Sequence, residues 1–138
     1  MSEMNDFNKA VIEEFRANEG KVGGFFADAT LLLLHTTGAK SGLERVNPVM
    51  YLADGERYVI VASKAGAPTH PDWYHNIIAN SEGSVEIGTE KFQVLATVAA
   101  EPERTQLYEK VEAMNPTFTE YKNKTTRVIP IVILTRKS

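Results

Sequence analysis

Three features of the 138-residue chain predict an α+β protein built on a small, mainly antiparallel barrel of six strands. Asp54-Gly55 separates two apolar runs and is a strong two-residue hairpin signal. Gly88 marks a second hairpin, and helical patterns fall between the strand pairs rather than alternating strictly with single strands. Hydrophobic residues make up 43% of the chain, enough at this length for one core.

The elements follow in order. Phe7, Val11, Ile12 and Phe15 recur at helical spacing, with Glu13, Glu14 and Arg16 facing away, which predicts an amphipathic helix over 5–18. Gly20, Gly23 and Gly24 end it in a loop, and the barrel is expected over 29–136. Thr30 to Thr37 reads as a buried strand and Gly38 to Gly42 as a turn. Residues 45–53 and 57–63 read as strands, and Pro48 inside the first implies an edge, a bulge or a barrel mouth. Pro71 is placed as the first residue of a helix that ends near Asn80, with Trp73, Ile77 and Ile78 on one face. Residues 84–88 and 90–99 form the second hairpin. Pro102 opens another helix, with Leu107, Tyr108, Val111 and Met114 inward. Thr117 caps a short helix carrying Phe118 and Tyr121. Val128 to Thr135, containing Pro130, is the last strand. No repeat or linker interrupts the chain, so residues 1–138 are expected to form a single domain.

Composition narrows the function. The net charge of -3 argues against nucleic acid as the main partner, which needs a basic stripe. Without cysteine, disulfides, thiolate metal sites, iron–sulfur clusters and a cysteine nucleophile are excluded, and a cytoplasmic location fits. The acidic, amphipathic start resembles no signal peptide, and Leu31 to Leu34 is too short to span a bilayer. No membrane anchor is expected. His35, His70 and His75 lack metal-site spacing: His35 reads as a hydrogen-bonded core or mouth residue, and His70 and His75 as lying on different faces of a helix start. Glu101, Glu103 and Asp28 read as solvated charges.

Against that acidic balance, Gly38 to Asn76 gathers Lys40, Arg45 and Lys64 with small residues and aromatics. Gly38-Ala39-Lys40-Ser41-Gly42 and Ala62-Ser63-Lys64-Ala65-Gly66 each set a lysine beside a serine in a glycine-flanked turn. Such turns let backbone N–H groups approach a ligand, while Lys and Arg supply charge for phosphate. The first turn lacks the glycine spacing of a P-loop, and the chain has neither G-x-G-x-x-G nor G-x-S-x-G. The pattern points to a large, planar cofactor that carries phosphate.

The ordered series Thr36-Thr37-Gly38-x-Lys40-Ser41-Gly42, Arg45-Val46-Asn47-Pro48, Ala62-Ser63-Lys64-x-Gly66, Pro71-x-Trp73-Tyr74-x-Asn76 and Asn80, with Tyr121 and Thr126 to Ile131 beyond, resembles the deazaflavin-dependent nitroreductase family of actinobacteria. The likeness covers roughly residues 30–135. It implies a split β-barrel related to the FMN-binding split barrels, the reduced deazaflavin coenzyme F420 as cofactor, and hydride transfer to a small-molecule acceptor such as a quinone, an enone or a nitro compound. It further implies that Lys40, Ser41 and Arg45 hold the phosphate and tail, and that Asn47, Pro48 and Val49 run beside the ring. Ala62, Ser63, Lys64, Ala65 and Gly66 would form a second cofactor loop, closed over by Trp73 and Asn76. Met50, Phe118 and Tyr121 would face the substrate, with Tyr121 the candidate proton donor. Members active on bicyclic nitroimidazoles present several tyrosines there. This chain has Met50, Asn115 and Phe118 at matching positions, and Tyr121 alone keeps a phenol. An FMN-dependent oxidoreductase on the same barrel and a non-catalytic deazaflavin-binding protein remain the alternatives, and the oligomeric state is open.

Overall fold

The computed structural model describes residues 3–17, 31–39, 42–63, 70–126 and 128–137. Helix α1 (Glu3–Ala17) precedes strands β1 (Leu31–Thr37), β2 (Glu44–Asp54) and β3 (Arg57–Val61). Helix α2 (Asp72–Ala79) leads to β4 (Glu82–Ile87) and β5 (Glu90–Val98). Helices α3 (Glu103–Met114) and α4 (Thr117–Lys124) then precede β6 (Ile131–Arg136). The strands close into an antiparallel barrel in the order β1-β2-β3-β6-β5-β4.

Two long strands make the closure. The first seven residues of β2, Glu44 to Met50, pair with β1, and the last four, Tyr51 to Asp54, pair with β3. In β5, Glu90 to Leu95 pair with β4 and Val94 to Val98 with β6. Glu44 to Met50 therefore have no ladder partner on the β3 side among the described residues. Pro48 lies in this half of β2, where one edge is free and a missing N–H is tolerated.

Side-chain alternation sorts the core into an inside and two outer faces. Leu32, Leu34, Val49, Ile60, Val85, Phe92, Val94, Val132 and Leu134 fill the barrel, and Trp73 and Ile77 of α2 join them. Outside, α3 and α4 cover β3 and β6 through Leu107, Tyr108, Val111 and Phe118 on Val59, Val61, Ile131 and Ile133. Helix α1 covers β1 through Val11 and Phe15 on Leu31 and Leu33.

Several sequence expectations shift. Pro71 is extended (φ -67°, ψ 154°) and precedes the helix, which starts at Asp72. Ile78 is 57% exposed, because five residues from Trp73 is about 140° around the helix; Asn76 takes the buried place instead. Met114 is 42% exposed at the last residue of α3, beyond the turns that touch the sheet. Thr117 is the first helical residue of α4 rather than its cap, and its N–H donates to Asn115 Oδ1 at 3.1 Å. The last strand starts at Ile131, not Val128, which is 66% exposed. Pro130 has no N–H to give to a ladder, though its carbonyl accepts the Ala62 N–H at 3.0 Å. His70 and His75 are not on separate faces: their rings meet edge-on at 5.9 Å beside Tyr74. The loop expected at Gly20, Gly23 and Gly24 lies outside the described residues, as does Thr30.

Candidate functional site

One end of the barrel gathers most of the candidates. The end of β1, the start of β2, the end of β3 and α2 all meet there. The chain leaves β1 in a tight turn, with the Gly38 N–H donating to the Leu43 carbonyl at 2.8 Å and the Gly42 N–H to the Gly38 carbonyl at 2.9 Å. Gly42 has φ +71°, a left-handed conformation that favours glycine. Lys40 and Ser41, and in the second loop Lys64, Ala65 and Gly66, lie outside the described residues.

Asn76 joins α2 to this turn. Its Oδ1 accepts the Ala39 backbone N–H at 2.9 Å, and its Nδ2 donates to Thr36 Oγ1 at 3.2 Å. Asn76 and Thr36 are both buried. Trp73, one helical turn earlier, is buried in the barrel core. Ala62 and Ser63 are buried at the end of β3.

Arg45 stands opposite Thr36 in the β1–β2 ladder, Asn47 opposite Leu34 and Val49 opposite Leu32. Arg45 is exposed, Asn47 half-buried and Val49 buried, a gradient from solvent into the core. The charge of Arg45 is uncommitted among the described residues. Arg16 is held by Glu86, Arg57 by Asp54 and Glu103, Arg104 by Glu101 and Arg136 by Glu90. Arg45 has no such carboxylate, so a ligand anion would meet a guanidinium whose donors are not already used.

The acceptor candidates gather on the outer face of β2. Met50 packs against both the α3/α4 cluster and the α1 cluster. Phe118 is only 3% exposed, and its ring meets Tyr121 edge-on with centroids 5.5 Å apart. Tyr121 is half-buried at the edge of the same cluster. Asn115 Nδ2 lies 3.9 Å from Met50 Sδ, a weak contact that ties the α3–α4 corner to β2. The Tyr108 hydroxyl donates to the Phe118 carbonyl at 2.6 Å, and Glu112 accepts from Thr119 and Lys122. The Thr119 hydroxyl, helped by Lys122, holds the Glu112 carboxyl below its usual range against the opposing effect of burial. These bonds fix α4, and so Tyr121, on α3. Arg45 and Met50 are five residues apart on one strand, about 17 Å at strand rise. With side chains alternating along the strand, Arg45 shares a face with the inward Val49, and Met50 lies on the opposite, outer face of β2.

A second polar group lies behind β1. His35 Nε2 is 2.6 Å from Glu86 Oε2, and Glu86 is gripped by Arg16 through two bonds of 3.1 and 2.7 Å. The Arg16 guanidinium holds the Glu86 carboxyl below the usual carboxylate range against the effect of burial, with His35 assisting. Gly83 passes so close that an added Cβ would sit 2.5 Å from the His35 carbonyl oxygen. This group anchors α1 to β1 and β4. Sequence reading left Glu86 and Thr36 without roles, since an exposed-looking glutamate and a strand threonine carry no distinguishing signal alone.

Comparison with known proteins agrees with this architecture. The sequence profile of the F420H(2)-dependent quinone reductase family matches residues 8–136. An F420H(2)-dependent quinone reductase of Mycobacterium tuberculosis is 39% identical over 127 residues, 89% of this chain and 85% of the relative. The structure of an F420-H2 dependent reductase superposes with a TM-score of 0.70 at 38% identity, over 76% of this chain and 93% of its own. A further structure, described as a domain-swapped dimer, reaches 0.72 at 33% identity over 95% and 96% of the two chains. The chain belongs to the F420H(2)-dependent quinone reductase family, and is therefore an oxidoreductase whose cofactor is coenzyme F420.

Proposed function

We propose that the chain binds the phosphate and acidic tail of coenzyme F420 at the β1–β2 turn and passes reducing equivalents to a flat, apolar quinone at the face formed by Met50, Phe118 and Tyr121. The guanidinium of Arg45 at the start of β2, uncommitted among the described residues, is the observation that carries this reading. Its neighbours fit such a ligand. Asn47, Pro48 and Val49 lie along the half of β2 that, among the described residues, pairs with β1 alone, and the buried Ala62 and Ser63 follow directly on β3. Lys40, Ser41, Lys64, Ala65, Gly66 and Trp73 complete the proposed cofactor set, with Asn76 holding the turn beside them.

When bound, the reduced deazaflavin supplies the hydride. The protein's part is placement. Arg45 and the turn hold the charged end, while the apolar wall of Met50 and Phe118 excludes water from the reacting face. Tyr121, half-buried with its ring braced by Phe118, is placed to donate a proton to the reduced acceptor. With one phenol in this cluster's acceptor face, nitroimidazoles are expected to be poor acceptors, and quinones or enones good ones. A cytoplasmic location belongs to this proposal and fits the absence of cysteine; among the described residues no helix is long and apolar enough to cross a membrane.

Direct titration of the purified protein with F420 and with FMN tests the reading, followed by oxidation of reduced F420 on adding menadione. Micromolar or tighter F420 binding, much weaker FMN binding and turnover with menadione are expected. Equal or tighter FMN affinity would refute it, and F420 binding without turnover by any quinone would make the chain a carrier.

A further inference from the structure

We infer that Asn76 is a positioning residue: it acts on cofactor binding by fixing the shape of the Gly38–Gly42 turn. The inference rests on the reading of that turn as the anion cradle.

The asparagine is itself held in place. Trp73 and Ile77 lie on the same face of α2 and are locked in the barrel interior, so Asn76 is set by the core. Its amide has one possible orientation. The Ala39 backbone N–H can only donate, so it must face Oδ1, which leaves Nδ2 for Thr36 Oγ1.

The turn's own backbone bonds hold Gly38 and Gly42, through the carbonyls of Leu43 and Gly38. Ala39, between them, has its N–H satisfied from outside, by the side chain of α2. Asn76 therefore ties three pieces together: the core-packed helix, the last buried residue of β1 and the Gly38–Ala39 peptide of the turn. A helix residue reaching over to contact the ligand would not need both ends of its amide engaged with the protein.

Thr36→Val tests this with Asn76 itself kept, because it is nearly isosteric and removes only the hydroxyl that holds the far end of the amide. Thr36→Ser, which keeps the hydroxyl, is the control. Two quantities are measured for both and for Asn76→Ala: hydrogen exchange of the Ala39 amide by NMR, without cofactor, and the Kd for F420. In Thr36→Val, Ala39 exchange should speed up and F420 binding weaken by about five- to tenfold, the fold-change of one neutral hydrogen bond. Thr36→Ser should match the parent protein. Asn76→Ala should exceed Thr36→Val in both; if it does not fold, Thr36→Val carries the test. Unchanged Ala39 exchange in Thr36→Val and Asn76→Ala would overturn the inference. So would an Asn76→Ala protein that loses F420 while Ala39 stays protected, since the side chain would then touch the ligand directly. Faster exchange in Thr36→Val, with no F420 binding by the parent protein, would leave the pin standing and refute the cradle.

Discussion

Arg45→Ala should separate cofactor binding from folding. The other described arginines are engaged by carboxylates of the protein, so truncating one of them removes an intramolecular pair. Arg45 is exposed at the start of β2 and has no such pair among the described residues, so its removal should leave the melting temperature within a degree or two. Toward an anionic ligand the expectation reverses. A charge-assisted hydrogen bond contributes about 1.5–3 kcal/mol, which at about 1.4 kcal/mol per decade is roughly a 10- to 100-fold weaker Kd. Exposure places the result toward the lower end of that range. Raising the ionic strength from 0.15 M to 1 M shortens the Debye length from about 8 Å to about 3 Å, so the gap between parent and variant should narrow. Trp73, the only tryptophan, is one helical turn from Asn76 and reports F420 titration by its fluorescence. Arg57→Ala is the control: it breaks the pairs with Asp54 and Glu103, should cost about 1 kcal/mol of stability, and should leave the Kd unchanged. An Arg45→Ala protein that binds F420 as tightly as the parent, or that melts markedly lower, would refute the assignment of its free charge to the ligand.

Further outcomes follow from the packing and the ion pairs. Glu86 has its folded-state pKa depressed by Arg16, so its contribution is present at neutral pH and lost as pH falls through that depressed value. Glu86→Gln should be less stable by about 1 kcal/mol at pH 7, and urea titrations of the two proteins should converge as the pH drops below the usual carboxylate range. Phe118→Ala should destabilise the fold by about 3–5 kcal/mol in the same assay, because the ring is a core residue and not merely a wall of the acceptor face. Tyr121→Phe, by contrast, should lower turnover with menadione while the melting temperature and F420 affinity stay near the parent values. Gly83→Ala should cost about 1–3 kcal/mol in thermal melts, since its new Cβ meets the His35 carbonyl and β1 or β4 must shift.

The barrel was legible from local signals. Two hairpin turns, alternating strands and the proline in β2 are short-range chemistry, and they place the six strands within a few residues. What escaped was decided by partners distant in sequence. The spacing of Trp73, Ile77 and Ile78 does not say which flank of α2 meets the barrel, and the answer favours a polar Asn76 because Thr36 and Ala39 wait for its amide. Glu86 gains its meaning from Arg16, 70 residues away. The motif series draws its described residues to one end of the barrel, yet residue types alone do not separate a side chain that would touch a ligand from one that would shape the loop beside it. Phe118 shows the same ambiguity: the resemblance implies a pocket wall, and its packing makes it a core residue as well.

The α3–α4 pair occupies the whole connection between β5 and β6, two strands that are paired directly at Val98 and Val132. Its two helices are tied to each other, from Tyr108 to the Phe118 carbonyl and from Glu112 to Thr119 and Lys122, and α3 is tied to the barrel by the pairs of Glu103 with Arg57 and Lys110 with Asp54. The turn that carries the proposed anion cradle hangs from a different pair of strands, β1 and β2. In the proposed arrangement the insert carries Phe118 and Tyr121 of the acceptor face, while β2 carries Met50 as well as Arg45 of the cofactor side. Under that proposal, substitutions in the insert would shift acceptor choice through Phe118 and Tyr121 while leaving the β1–β2 turn in place.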